Sequence, residues 1–347
     1  MKTVYVGLSG GVDSSVGAAL LKQQGYNVVG VYMKNWTQDV AGVACPWRQD
    51  LADARAAAAV LDIPFKIFDF QQEYRAQVVD VMVTEYQAGR TPNPDVMCNQ
   101  EIKFKLFLQA ALDDGADFIA TGHYARTKDG QLLRAADAAK DQTYFLYRVM
   151  PEALARTLFP LEGLTKPEVR KLAAQFGLPT AAKPDSQGIC FVGEVGMKEF
   201  LRQYIRTAPG PVVLRRTGET VGRHEGAVLY TIGQRHGLGI GGGTPYFVTG
   251  KDMETNTVYV TDDPAGLELV ADQFELERTH WVGAAPEAGR TYQIRSRHRA
   301  ELIDGWLEPV GKRWRVRLSQ SERAISPGQS AVVYDGEIVL GGGVIAA

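Results

Sequence analysis

The sequence predicts an α/β fold, a doubly wound parallel sheet, followed by a small β-rich middle domain and a C-terminal β-barrel. Three observations carry this. Apolar strand-like runs alternate with helical periodicities through the first 207 residues. After "APGPVV" (208–213) the helical patterns cease, and short strand-like runs broken by Gly, Asn and Asp turns continue to Ala347. A glycine-serine stretch, "YVGLSGGVDSSVGAALL" (5–21), reads as strand, tight turn and helix in immediate succession.

The elements follow in order. "TVYVGL" (3–8) is a short apolar strand, and helical periodicity from Ser14 to Gln24 stops at Gly25, a residue suited to a helix C-terminus. "NVVGVYM" (27–33) is a second strand, 48–62 an alanine-rich helix, "PFKIFDF" (64–70) a third strand and 71–87 a long helix. A further helix is expected from about Asn99, then a fourth strand, "DFIAT" (117–121). This βαβα rhythm implies a parallel sheet. Such sheets bind ligands beyond the carboxyl ends of their strands, where the Gly10 loop and Gly122-His123 both fall. Helical patterns recur at 151–157, 165–176 and 195–206. Beyond them "AVLYTIG", "TPYFVTG", "NTVYVTDD", "TYQIRSR", "RWRVRLS" and "SAVVYDGEIVLGGGV" read as strands. A weaker break near 270 gives three parts, 1–207, 208–270 and 271–347, and the triple-glycine runs at 241–243 and 341–343 are too short to be linkers.

Composition excludes several classes. The 347 residues are 45% hydrophobic and 22% charged, ordinary for a globular protein. No run approaches the eighteen or so apolar residues of a membrane span. The start reads as a strand rather than a signal peptide. Three cysteines, Cys45, Cys98 and Cys190, are too few for a secreted disulfide framework, so a cytoplasmic location is expected. Net charge is −2, which makes no overall claim on nucleic acid. Locally, nine Lys/Arg against four acids between Arg290 and Arg323 could form a basic face, or an ordinary solvated β-surface.

In the 5–21 stretch, backbone N–H groups of Ser9 to Val12 can face a phosphate, glycines permit close approach, and the helix dipole favours an anion. A P-loop of the form G-x-x-x-x-G-K-[ST] would add a lysine, and none stands there. The S-G-G-x-D-S spacing instead resembles the loop of N-type ATP pyrophosphatases, which bind the β,γ-phosphates as a unit and release pyrophosphate. Asp13 is read as a Mg²⁺ contact, and Ser9 and Ser14 as phosphate donors. Such a loop activates a substrate by adenylation, and a nucleophile must then displace AMP.

Two cysteines stand in polar, Gly- or Pro-marked loops. "GRTPNPDVMCNQEIKF" (89–104) carries Cys98 just ahead of the expected helix, whose N-terminus would raise its thiolate fraction. Asp95 stands three residues upstream as an acid or base. "KPDSQGICFVG" (183–193) carries Cys190. Cys45 has only a following proline to distinguish it. Two thiols beside an ATP-activated carbonyl suggest sulfur transfer, one bearing a persulfide and the other attacking it or the disulfide left behind.

"GLSGGVDSSV", "GRTPNPDVMCNQEIKF", "TGHYAR", "KDQTYFLY", "DSQGICFVG", "YTIGQRHGLGIGG" and "YDGEIVLGGGVI" together resemble bacterial tRNA-specific 2-thiouridylase, from the first strand to the last residues. The resemblance implies an adenine nucleotide α-hydrolase-like catalytic domain, a central domain and a tRNA-binding barrel. It implies adenylation of the C2 oxygen of the wobble uridine of tRNA by ATP, then its replacement by sulfur with release of AMP and pyrophosphate. Cys190 matches the persulfide-bearing cysteine, Cys98 its partner nucleophile and Asp95 the acid/base. Gly7, Leu8, Ser9, Gly10, Gly11, Val12, Asp13, Ser14, Met33 and Gly122 match the ATP site. Asn93, Pro94 and Asp95 match the contact to the target base, and Lys140, Asp141 and Gln142 a tRNA-contacting segment. Arg297-His298 stands where the family has Arg-Tyr, and Pro184 where a lysine is expected. The partners implied are tRNA and a sulfur donor protein, either a relay protein or a cysteine desulfurase, with no membrane. Rival readings are an amide-forming ligase on the same loop, a 4-thiouridine synthase, and an RNA-binding protein without chemistry.

Overall fold

The computed structural model describes residues 1–40, 42–185, 196–241, 245–263, 266 and 268–347. Strands β1 (Thr3–Gly7), β2 (Asn27–Lys34), β3 (Phe65–Asp69), β4 (Phe118–Ala120) and β7 (Thr157–Leu158) form a parallel sheet in the order β3-β2-β1-β4-β7. β1 pairs with β2 from Thr3↔Asn27 to Gly7↔Val31, and with β4 from Val4↔Phe118 to Val6↔Ala120. Alternation along β1 divides the core. Val4, Val6 and Leu8 pack under helices α1 (Val12–Gln23), α2 (Trp47–Val60) and Lys166–Gln175, while Tyr5 packs on the opposite face under the helices spanning 71–87 and 94–113. The chain runs from β1 outward to β3, then returns to place β4 on the other side of β1. This reversal opens a crevice between the carboxyl ends of β1 and β4.

The helical pattern expected at 151–157 divides: Pro151–Leu154 is helical, and Thr157 then joins β7, because its amide and carbonyl lie beside Ile119 at the sheet edge. Two short strands missed in the sequence, β5 (Arg126–Lys128) and β6 (Gln131–Leu133), form a hairpin that pairs not with this sheet but with the last strand of the chain, Ile338↔Leu133 and Val339↔Leu132.

The middle sheet has the order β10-β11-β8-β9, from β8 (Gly210–Leu214), β9 (Thr220–His224), β10 (Phe247–Asp252) and β11 (Thr257–Thr261). "AVLYTIG" is not a strand. Ala227–Leu229 is a single 3₁₀ turn with its three side chains buried, so its apolar run reflects burial rather than sheet pairing. Strands β12 (Val270–Trp281), β13 (Thr291–Arg295), β14 (Ile303–Val310), β15 (Arg313–Arg323), β16 (Ser330–Asp335) and β17 (Ile338–Ile345) close into a six-stranded barrel, β17 returning to β12. Its interior holds Leu276, Tyr292, Ile294, Leu307, Val316 and Val333. The glycines at 341–343 lie inside β17. A Cβ on Gly342 would stand 2.2 Å from Ala331 O, and one on Gly341 2.1 Å from His280 O, so the strand is pinched between both neighbours.

The barrel is fastened to the helical layer by charge. A register shift in β12 between Glu277 and His280 throws Arg278 outward with φ +49°. Its guanidinium donates to both oxygens of Glu85 at 3.1 Å, and Arg90 donates to the same carboxylate at 2.6 and 2.8 Å. Arg90 above all, with Arg278, holds the Glu85 carboxyl down at about 2. A depressed carboxylate stabilises the fold fully above its unfolded value and loses that contribution as pH falls through the folded one. Glu85→Gln should therefore cost about 2 kcal/mol at neutral pH, allowing for partial screening by water. Thermal unfolding of the variant and its parent should show the gap narrowing as pH is lowered from about 5 towards 2; a gap independent of pH would contradict the assignment.

Candidate active site

The glycine loop lies at the mouth of the crevice. Gly10 has φ +77°, and a Cβ there would stand 2.3 Å from Asp50 O, so the loop rests directly on the backbone of α2. A Cβ on Gly122 would meet Ser14 N at 2.7 Å, which brings the end of β4 against the first turn of α1. One on Gly7 would meet Met33 Cε at 2.9 Å. The loop and α1 start at Gly7 to Ser14, together with Met33 and Gly122, therefore form one surface. Gly11 is the N-cap residue of α1 and makes no side-chain cap bond. The first amides of a helix have no intrahelical acceptor, and a start without a side-chain cap is suited to an anion. Ser9 and Ser14 hydroxyls meet at 3.2 Å and fold the loop on itself.

The lysine absent from the loop arrives from elsewhere in the chain. Lys166, the first residue of the helix Lys166–Gln175, places Nζ 2.7 and 2.8 Å from the two Asp13 oxygens and 2.8 Å from Asp185 Oδ1. Asp185 also takes Lys140 at 2.7 Å and Arg170 at 2.7 Å; against the cost of burial, Lys140 and Lys166 keep its carboxyl at about 2. Lys183 bridges Asp50 at 2.9 Å and Asp53. The only sequence signal for Lys166 was the helix start, "GLTKPEVR", which carries a complete Thr165–Glu168 capping box. Asp13, read from the sequence as a Mg²⁺ contact, is engaged here by protein groups. Lys166 engages both its oxygens and Tyr124 donates to Oδ1 at 2.9 Å. Among the described residues no group of three His, Cys, Asp or Glu could hold a metal.

The second half of the site is a helix that begins earlier than expected. Asn93 caps it by accepting from the amides of Asp95 and Val96, Pro94 occupies the first position, and winding continues without a break through Cys98. Pro94 favours that first turn because the amide it lacks would have been unpaired. Cys98 therefore lies a full turn inside the helix, not ahead of it. It is 5% exposed within the large apolar cluster, so any attack by its sulfur requires that cover to part. From Cys98 to Phe107 the bonding is π-helical. Burial pushes the Asp95 carboxyl above the usual carboxylate range, and Lys103 pulls against that rise. Cys190 lies outside the described residues.

The segments expected to touch RNA converge on one side of this helix. Asn99 Nδ2 donates to Phe145 O at 3.2 Å, and the Phe145 ring lies 4.4 Å from that of His298. His298 thus reaches the helix through Phe145, and Arg297 beside it is exposed, with no ion pair among the described residues. The 140–142 segment, in contrast, turns its side chains inward. Asp141 is buried, accepting from Thr143 N and Oγ1 and facing Arg134 and Arg295. Gln142 accepts from Tyr124 N, and Lys140 is held by Asp185. Nor is 290–323 a free basic face. Arg290 pairs with Asp335, Arg313 with Glu275 and Glu277, Arg315 with Glu275 and Glu308, and Arg317 with Glu308. Most of the acids lie on β12 and β16, outside the stretch whose charge was counted.

A parallel sheet with an uncapped glycine loop at its switch point, joined to a closed barrel, defines a nucleotide-binding α/β protein with two appended β-domains. Residues 2–194 match the family described as tRNA methyl transferase HUP domain, 198–262 the tRNA methyl transferase PRC-barrel domain and 271–345 the aminomethyltransferase beta-barrel domain. The tRNA-specific 2-thiouridylase MnmA of Verminephrobacter eiseniae is 48% identical over 363 residues, covering 99% of this chain and 98% of the relative. That of Bordetella avium is 48% identical, covering 99% and 97%. The chain belongs to the tRNA-specific 2-thiouridylase family.

Since Lys166 is the cation nearest the loop, Lys166→Met should weaken inorganic pyrophosphate binding about tenfold or more, the usual worth of a charge-assisted bond. Calorimetric titration would show it; unchanged affinity would remove Lys166 from the phosphate site.

Proposed function

We propose that this chain is an ATP-dependent tRNA sulfurtransferase that converts the wobble uridine to 2-thiouridine. The observation supporting it is the uncapped start of α1 packed on the Gly122 turn, beside the helix that carries Asp95 and Cys98, whose Phe107 ring stands 3.6 Å from where a Cβ on Gly7 would lie. The amides at 9–14 and Lys166 would hold the β,γ-phosphates. The uridine C2 oxygen bonds to the α-phosphorus as the bond to pyrophosphate breaks. Persulfide sulfur carried on Cys190 then adds at C2, AMP leaves, and Cys98 takes the remaining sulfur of Cys190 into a disulfide. Asp95, held half-buried, would exchange protons with the base. A stacked base hides its C2 oxygen, so the uridine must be extruded, and Asn93 and Pro94 would border it.

The family descriptions speak of methyl transfer and the relatives' names of thiolation. A pyrophosphate-binding loop with paired cysteines serves thiolation, since methyl transfer uses neither. Arg297 and His298 would meet RNA at the barrel edge, and the 140–142 segment would do so through its backbone, its side chains being engaged within the protein. The sulfur would come from a relay protein or a cysteine desulfurase, and the reaction belongs where tRNA and ATP meet, in the cytoplasm. Among the described residues no helix is long and apolar enough to cross a membrane.

Incubation of the Cys98–Cys190 disulfide form with ATP, sulfide and tRNA, sulfide opening the disulfide to a Cys190 persulfide and a Cys98 thiol, should yield 2-thiouridine on digestion and mass analysis. Cys98→Ser should abolish turnover, whereas an amide-forming ligase on the same loop would survive it. At the barrel edge, Arg297→Ala should weaken tRNA binding and lower its salt slope by about one; an unchanged slope would exclude that contact.

A further inference from the structure

Lys103 and His123 have no part in the reading above, yet they lie between its two halves. Lys103 is half-buried on the helix that carries Asp95 and Cys98. It forms no ion pair among the described residues, and its ammonium stands 3.5 Å from His123 Nε2. His123 follows Gly122 at the end of β4, against the first turn of α1, and its ring is packed against Phe104 at 5.7 Å and Phe159 at 6.5 Å. Its other nitrogen, Nδ1, lies 2.8 Å from Thr121 Oγ1. An ammonium has only donors, so Nε2 must accept and Nδ1 must carry the proton toward Thr121. Burial and the Lys103 charge hold the imidazole neutral, well below its ordinary value. His123 is thus a fixed acceptor that aims a cation.

The helix winding completes the placement. From Cys98 to Phe107 the bonds run i→i+5 rather than i→i+4. More residues fit in each turn, so Lys103, five after Cys98, comes round onto the face of Cys98. A regular α-helix would carry it well away. With pyrophosphate on the α1 side and the uridine on the Asp95 side, the α-phosphorus would lie between them, and Lys103 spans that gap, its backbone on the Asp95 helix and its ammonium at His123 beside Gly122.

We infer, resting on the proposed sulfurtransferase reading, that Lys103 is a catalytic residue whose ammonium, positioned by His123, stabilises the charge on the α-phosphate. It acts as the uridine oxygen bonds to phosphorus and pyrophosphate departs, and again as AMP leaves C2. The ammonium gives up no proton; it supplies a charge that strengthens as the equatorial oxygens gain negative charge.

The test is single-turnover pyrophosphate release by the full chain with ATP and unmodified tRNA, alongside ATP and tRNA binding. Lys103→Met should slow release about 100-fold while both affinities stay within about threefold, the signature of an interaction made in the transition state. Lys103→Arg should recover a tenth or more of the rate by restoring charge. His123→Phe keeps the aromatic packing but removes the acceptor and should slow release about tenfold, which carries the test should Lys103→Met fail to fold. His123→Gln, whose amide oxygen can face Lys103, should lose less. Release by Lys103→Met within about threefold of the parent, or a loss found wholly in ATP affinity, overturns the inference and leaves the sulfurtransferase reading standing. A parent protein that releases no pyrophosphate with tRNA overturns both.

Discussion

Everything at the crevice follows from a helix that starts without a cap. Gly11 offers α1 no side-chain oxygen, so its first amides are left without a side-chain cap at the positive end of the helix dipole. Such a site needs glycine for access and anionic ligand for completion. The surrounding side chains are arranged accordingly. Lys166, Lys140, Arg170 and Lys183 gather within reach of the loop, and Asp13, Asp185, Asp50 and Asp53 hold them in place. The carboxylates keep these cations ordered. The same ion pairs hold the chain in place as far as Asp185.

The three sheets are joined by small, specific contacts. The β5–β6 hairpin leaves the nucleotide-binding part to lengthen the barrel sheet at β17. Tyr144 and Tyr147 reach Ser330, Thr91 N donates to Pro327 O, and Gly328 has no room for a side chain against Thr91. With Glu85 bound to Arg278, these contacts set the loop before Asn93 against the barrel. The position of Asn93, and hence of the helix with Asp95 and Cys98, depends on the barrel as much as on its own sheet.

The alternating apolar runs of β1 and β2, the alanine-rich α2 and the Gly25 stop were legible because burial and local backbone preference act over a few residues. The glycine loop was legible for the same reason, its chemistry lying in one contiguous turn. The helix start at Pro94 was misjudged because "NPD" reads as a turn until Asn93 is seen capping the amides of Asp95 and Val96. The apolar 227–233 run misled because periodicity cannot separate a buried 3₁₀ turn from a strand.

The sequence by itself determined the fold class and the strand, glycine turn and helix of residues 3–23, properties of short stretches whose residues act on their own backbone. Tertiary structure alone decided which charges meet. Lys166 finds Asp13 across 153 positions of chain, Arg278 finds Glu85 across 193, and the barrel arginines spend their charge on strands that a local count never included. Electrostatic partners are set by distance in space, which chain connectivity fixes only after the sheets have closed.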